Sequence, residues 1–358
     1  MNKYLSDKLR VISFISIIMV VFLHSFNGTV RFTSGNLSLN NGYSIFIQEF
    51  LSHGITNIAI PMFFCISAYL IFLKFGGTMS EFIQKYRKRA KSLLLPYLIW
   101  SLWGLLLCFL LQSVPQSRQF FTNDLIINYS FAKLLNTIFL DPISYQLWFL
   151  RDLIVLVFFL PLIYFLIRYL RAIPIILFFI IWLDLFKIDL LLFSNESVFF
   201  FFLGAYISIY KSEYALKKLN QKYYWLFTVV WILIVLLKTI IIYNNPALTP
   251  LPLLLHKVSI LVGLIALWSM YDILMLKKEN PNKIIFSLSF FSFFLYVFHE
   301  PVSILMKKGL FYILGSSELT SLIIYFSLPI MIITISISLG AFIKKIAPKF
   351  YMIITGGR

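Results

Sequence analysis

Ten apolar stretches, most of them about as long as a bilayer is thick, constrain this chain more than any other feature. A spanning helix needs about 20 mostly apolar residues. Such runs fall at 9–27, 53–74, 93–112, 147–167, 172–187, 197–210, 223–243, 251–273, 284–306 and 321–342. Hydrocarbon offers the backbone no hydrogen-bond partners, so each run must satisfy its own N–H and C=O groups as a helix. The fifth and sixth are short, which fits a small tilt or a re-entrant segment. Gly76-Gly77, Asn244-Asn245-Pro246 and Asn280-Pro281-Asn282 are the natural stops. The fold class expected is all-α: a polytopic membrane helix bundle of about ten transmembrane helices, forming a single domain over residues 1–358.

Composition excludes the alternatives. With 60% hydrophobic and 13% charged residues, the chain is too apolar for disorder or for an ordinary soluble domain. No polar stretch of the ~100 residues that a separate soluble domain would take is present. Cys65 and Cys108 both lie within apolar runs, so they read as small buried hydrophobes and not as a disulfide or metal pair. Lys3, Lys8 and Arg10 before an apolar run imitate a signal peptide, but no small-residue cleavage site follows. The beginning of the chain therefore reads as an uncleaved membrane helix.

The charge is lopsided, with 31 Lys and Arg against 14 Asp and Glu. A basic excess first raises nucleic acid. Sorted by segment it points elsewhere. With the N-terminus inside, the inner segments hold 22 basic and 5 acidic residues, while the outer segments and the spans each net zero. The whole +17 thus falls on one face, the positive-inside pattern of ten spans with both termini cytoplasmic. The inner charges are spread over six short segments with no aromatic-lined groove, so nucleic acid is not an expected partner.

Ionisable groups within spans are costly and mark function. His24 closes the first span, Arg151 and Asp152 open the fourth, and His299 and Glu300 come late in the ninth. Asp184, Lys238, His256 and Lys257 also sit near the outer ends of their runs. Helices turned with these faces inward would form a polar chamber in the outer half of the membrane. Imidazole titrates near neutrality and is the commonest general base, which singles out His24 and His299. His299 and Glu300 are adjacent, so on a helix they point about 100° apart and address different neighbours. No HxxxH or HExxH spacing offers a metal two ligands on one face, so no metal is expected. No GxSxG, P-loop or GxGxxG is present. Arg10 precedes His24 by 14 residues, which puts both on broadly one face, about 21 Å apart along the axis. A guanidinium at the inner end suits phosphate, and an imidazole near the outer end suits proton transfer.

At this point the chain resembles the type 3 acyltransferases, integral-membrane O-acyltransferases of cell-envelope carbohydrates. The likeness is carried by LRVISF and VVFLHS in the first span, IAIPMFFCISAYLI (58–71) in the second and RKRAKSLLLPYLIW (87–100) leading into the third. LWFLRDLIVL (147–156), FFLGAY (201–206) and FFLYVFHEPV (293–302) complete it, in the family's order and over nearly the whole chain. The family pattern has Arg 11 residues before the first-helix His. Here that position is Ser13, and Arg10 lies one turn further away. The resemblance implies a cytoplasmic acyl-CoA donor, most often acetyl-CoA, and a carbohydrate hydroxyl acceptor at the outer face of a bacterial inner membrane. It also implies that Arg10 and the cluster Arg87, Lys88, Arg89 and Lys91 meet the donor's phosphates. His24 would serve as general base or carry the acyl group covalently, with Glu300 or Asp152 orienting it and Arg151, Lys238 or His299 facing the oxyanion. Two readings from other classes stand beside this one: a transporter or flippase of lipid-linked sugars, using the same charges without acyl chemistry, and a non-catalytic partner in polysaccharide assembly.

Overall fold

In the computed structural model, which describes residues 2–39, 42–184, 187–188, 190, 193–244, 250–275 and 283–357, each apolar run is built mainly of helix. Asn245-Pro246, Asn280-Pro281-Asn282, Asp189, Lys277, Lys278, Glu279 and Arg358 lie outside the described residues. The chain opens with α1 (Lys3–His24), then a short hairpin of β1 (Thr29–Phe32) and β2 (Gly35–Ser38), antiparallel with Val30 opposite Leu37. A continuous helical stretch follows: α2 (Tyr43–Gln48), a π-helical segment (Glu49–Ile55) and α3 (Ala59–Phe72). Next come α4 (Met79–Arg89), α5 (Leu95–Gln112), α6 (Phe131–Phe139), α7 (Trp148–Phe158), α8 (Leu160–Leu170) and α9 (Ile173–Trp182). The rest is α10 (Asn195–Tyr210), α11 (Gln221–Asn244), α12 (Pro250–Leu274), α13 (Lys283–Leu288), α14 (Ser292–Leu314), α15 (Glu318–Ile346) and α16 (Pro348–Ile354).

The architecture is an all-α polytopic membrane bundle, with the hairpin its only strand pair among the described residues. Six helical stretches are long and apolar enough to cross a bilayer: Tyr43–Phe72, Met79–Ser113, Gln221–Asn244, Pro250–Leu274, Lys283–Leu314 and Glu318–Ile346. A seventh is broken, with Tyr145–Phe158 and Leu160–Leu170 meeting at 65°. Pro161 explains the bend, since it cannot donate to the preceding turn and disfavours helix at the residue before it. The expected ten also require α1, α9 and α10. α1 has 22 residues but begins with Lys3, Asp7, Lys8 and Arg10, and α9 and α10 have 10 and 16.

Internal contacts divide the chain into two compact units. One comprises Met1–Ile17, Asn57–Ala90 and Asp152–Phe290. In it α10 lies directly on α3: a Cβ at Gly204 would come within 2.3 Å of the Cys65 carbonyl oxygen, so only glycine permits the approach. The run Phe199–Phe202 is fully buried around that contact. Lys8 of α1 is 1% exposed and pairs with Asp272 of α12 through both carboxylate oxygens, at 2.8 and 2.9 Å. Thr78 and Glu81 form a capping box that starts α4.

The other unit comprises Ile18–Thr56, Lys91–Arg151 and Phe291–Arg358. The Trp100 indole of α5 donates to the Ile354 carbonyl at the end of α16 (2.9 Å), and Phe294 of α14 stacks on Tyr351. A buried polar knot ties the residues after α1 to α2 and α15. Gln48 accepts from the Asn27 backbone N–H (2.9 Å) and donates to Asn27 Oδ1 (3.0 Å) and Ser321 Oγ (2.9 Å). Asn27 Nδ2 donates to the Ser321 carbonyl at 3.0 Å. Buried polar groups must be paired, and here each member of the knot finds its partners within it.

Candidate active site

His24 is the last residue of α1, and its backbone is held from two sides. The final carbonyls of a helix have no partner within it and carry partial negative charge, so a cation there is favourable. Lys307 of α14 supplies one: its ammonium donates to the carbonyls of His24 (2.6 Å) and Phe26 (2.7 Å). The knot around Asn27 fixes the next residues. The His24 ring lies 5.3 Å from the ring of His299 and 5.9 Å from that of Tyr145, centre to centre.

His299 and Glu300 sit at a break in α14. Pro301 has no N–H, so the Val297 carbonyl four residues back loses its helical donor, and Glu300 is driven out of helical geometry (φ −111, ψ 142). One side chain repairs the break. Gln146, in the turn before α7, donates through Nε2 to the carbonyls of Val297 and Glu300, both at 3.0 Å. Tyr296 returns the contact, its hydroxyl donating to the Gln146 carbonyl at 2.6 Å. The turn that carries Tyr145 and the break that carries Glu300 are thus fastened together.

The same geometry assigns the His299 tautomer. Nδ1 stands 2.7 Å from the Tyr296 carbonyl and 3.2 Å from that of Leu295. A carbonyl can only accept, so Nδ1 carries the hydrogen, and in the neutral ring Nε2 presents a lone pair. His299 is 0% exposed, and Nε2 has no hydrogen-bond partner among the described residues. Glu300 is 1% exposed, with the Ser303 hydroxyl and the Ile304 N–H as the donors nearest its carboxylate and Lys307 exerting an electrostatic pull on it. A buried polar atom is rarely left unpaired, and the Nε2 lone pair beside a second imidazole fits a polar ligand.

Of the residues singled out in the sequence, the structure therefore brings His24 and His299 together, and Glu300 follows His299 directly and is acted on by Lys307. The others have different surroundings. Arg151 donates to the Leu140 carbonyl at 2.7 Å. Asp152, fully buried, accepts from the Ser194 N–H and the Ser197 hydroxyl, both at 3.1 Å, at the start of α10. Lys257 lies over the Trp182 ring at 4.6 Å, and that indole donates to Glu196. Lys238 is buried in α11. The Arg10 guanidinium packs on the rings of Phe290 (3.8 Å) and Phe286 (4.7 Å). Arg87, Lys88 and Arg89 form the last turn of α4, and Lys91 follows in a π-helical turn, with Arg87, Lys88 and Lys91 exposed. Among the described residues, no group of three His, Cys, Asp or Glu could hold a metal ion. Sequence reasoning passed over Gln146, Tyr145 and Lys307. The Pro directly after Glu300 was the available signal that α14 must break and would need a polar side chain from elsewhere.

Comparison with known proteins adds to this geometry. A family model described as an acyltransferase domain matches residues 8–341. The succinoglycan biosynthesis protein ExoH of Rhizobium meliloti (strain 1021) is 23% identical over 332 residues, which cover 89% of this chain and 84% of that protein. No solved structure matches the chain.

Proposed function

Because the chain belongs to the acyltransferase 3 family, we propose that it transfers an acyl group, acetyl in the first instance, from cytoplasmic acyl-CoA to a hydroxyl of an exported or cell-surface carbohydrate in the bacterial inner membrane. That it is an integral-membrane acyltransferase follows from the family and the six membrane-capable helices. The carbohydrate acceptor is inferred from the relative's part in succinoglycan biosynthesis. The observation that carries the mechanism is the pair of imidazoles 5.3 Å apart, His24 being held at its backbone by Lys307, the cation that also acts on the buried Glu300.

In this reading the donor supplies an activated acyl carbonyl. His24 takes the proton of the acceptor hydroxyl as its oxygen attacks, and returns it to the departing thiolate. The neutral His299 presents a lone pair at Nε2 and cannot donate to an oxyanion, so we assign it to accept a hydrogen bond from the His24 imidazolium while that proton awaits the thiolate. Glu300 stabilises the imidazolium that results. Arg10, Arg87, Lys88, Arg89 and Lys91 hold the donor's phosphates. The Arg10 guanidinium packs on the Phe290 and Phe286 rings, which supports its holding one place for that role.

The test is transfer of radiolabelled acetyl from acetyl-CoA to envelope polysaccharide by the purified protein, run beside succinyl-CoA. His24→Ala should elute and melt like the parent and lose roughly 100-fold or more of the rate, the usual weight of a general base. Undiminished transfer by this variant would remove His24 from the mechanism, and no transfer from either donor by the parent would sink the reading itself.

A further inference from the structure

Two of the stretches that carry the family likeness, 58–71 and 201–206, take no part in the site around His24. They wall a groove of their own. It lies within the first unit, between α3, α10 and α12, with Leu9 of α1 at its edge, and has a volume of about 600 Å³. That is in the ~300–1,000 Å³ range of ligand pockets. Met62, Ile66, Gly204, Leu264 and Trp268 are typical of its lining. The close seating of α10 on α3 at Gly204 brings these two walls together.

The groove is polar at one end. Lys211, the one charged residue in its lining among the described residues, follows the last residue of α10, and Tyr214 is beside it. The ammonium groups of Lys211 and Lys217 lie over the Tyr214 ring, at 5.5 and 5.9 Å, and that of Lys218 lies over the Tyr4 ring at 4.7 Å. All three lysines are exposed, and none forms an ion pair among the described residues. Like charges gathered at the end of an apolar trough favour an anionic head with a hydrocarbon tail.

We propose that this groove binds one hydrocarbon chain of an anionic phospholipid, whose phosphate is held by Lys211, Lys217 and Lys218. A sugar, or the amide-bearing arm of a coenzyme, would strand polar groups against this wall at a cost a hydrocarbon chain avoids. Basic clusters near the bilayer surface attract anionic lipid headgroups. The site is separate from acyl transfer and does not depend on it.

Full-length protein in detergent, titrated with phosphatidylglycerol or with phosphatidylcholine and read by native mass spectrometry, tests it. The parent should retain one phosphatidylglycerol at a concentration at least about tenfold below that needed for phosphatidylcholine. Combined Lys211→Glu, Lys217→Glu and Lys218→Glu, all at exposed positions, should erase that preference. Leu264→Trp should lower retention of both lipids by filling the trough. Equal retention of the two lipids by the parent, or a preference that survives in the lysine variant, overturns the proposal. Displacement of phosphatidylglycerol by acetyl-CoA overturns it too, by assigning the groove to the acyl donor.

Discussion

Lys8 is the residue whose sequence context misleads most. It sits among the inner positive charges, yet it is buried and neutralised by Asp272, near the inner end of the 251–273 run. Since one charge of each sign is removed, the inner excess is unchanged. The pair is a packing device, with the Trp268 ring 4.4 Å from the ammonium and the Tyr4 hydroxyl donating to the same carboxylate. Removing one partner of a buried pair strands the other. Lys8→Ala should therefore cost about 3–5 kcal/mol, whereas Lys8→Met with Asp272→Leu should restore most of it. Thermal unfolding of the three proteins in detergent checks this order; a double variant as unstable as the single one contradicts it. His24 was legible because an imidazole at the end of an apolar run has few structural excuses. Tyr145 was not, because nothing in a local sequence says that a turn tyrosine will meet a histidine 121 positions earlier.

At the scale of elements, two contacts decide whether helices hold their places. Gln146 accounts for both carbonyls freed at the break in α14. Gln146→Leu keeps the bulk of the side chain and leaves those carbonyls without donors, at about 1–3 kcal/mol each. The expected result is a lower unfolding midpoint together with reduced acyl transfer; a normal midpoint would show that the break is satisfied in another way. Gly204→Ala places a methyl against the backbone of α3, which cannot yield as a side chain can. Overpacking of this kind costs about 1–3 kcal/mol, and an unchanged midpoint would mean that α10 can back away freely. The helices themselves were readable from apolar run length. The breaks at Pro161 and Pro301 were not read from the runs 147–167 and 284–306, since a proline need not break a membrane helix, as Pro329 within α15 shows, and neither were the side chains that mend them. A mending residue lies far along the chain, and its type is ordinary for a loop. The hairpin after α1 was not legible either, because strands of four residues, TVRF and GNLS, are too short to carry a periodic signal.

For the whole molecule, charge sorted by segment makes a prediction that no single contact makes. Reporter fusions after Gly76 or Lys218 should be active as a cytoplasmic fluorescent protein. Fusions after Asn36 or Gln119 should be active as an exported phosphatase. The reverse pattern at any site would redraw the spans around it, beginning with the short α9 and α10. Topology also gives the broken helix a history. A membrane chain is inserted as it is made, from its N-terminus, and open carbonyls facing lipid have no partner there. Gln146 is synthesised some 150 residues before Val297 and Glu300, so its amide is already in the bilayer when the unpaired carbonyls arrive. The order of the sequence spares the nascent α14 a period in lipid with its backbone unsatisfied. A rearranged chain that delivered α14 first would lose that protection.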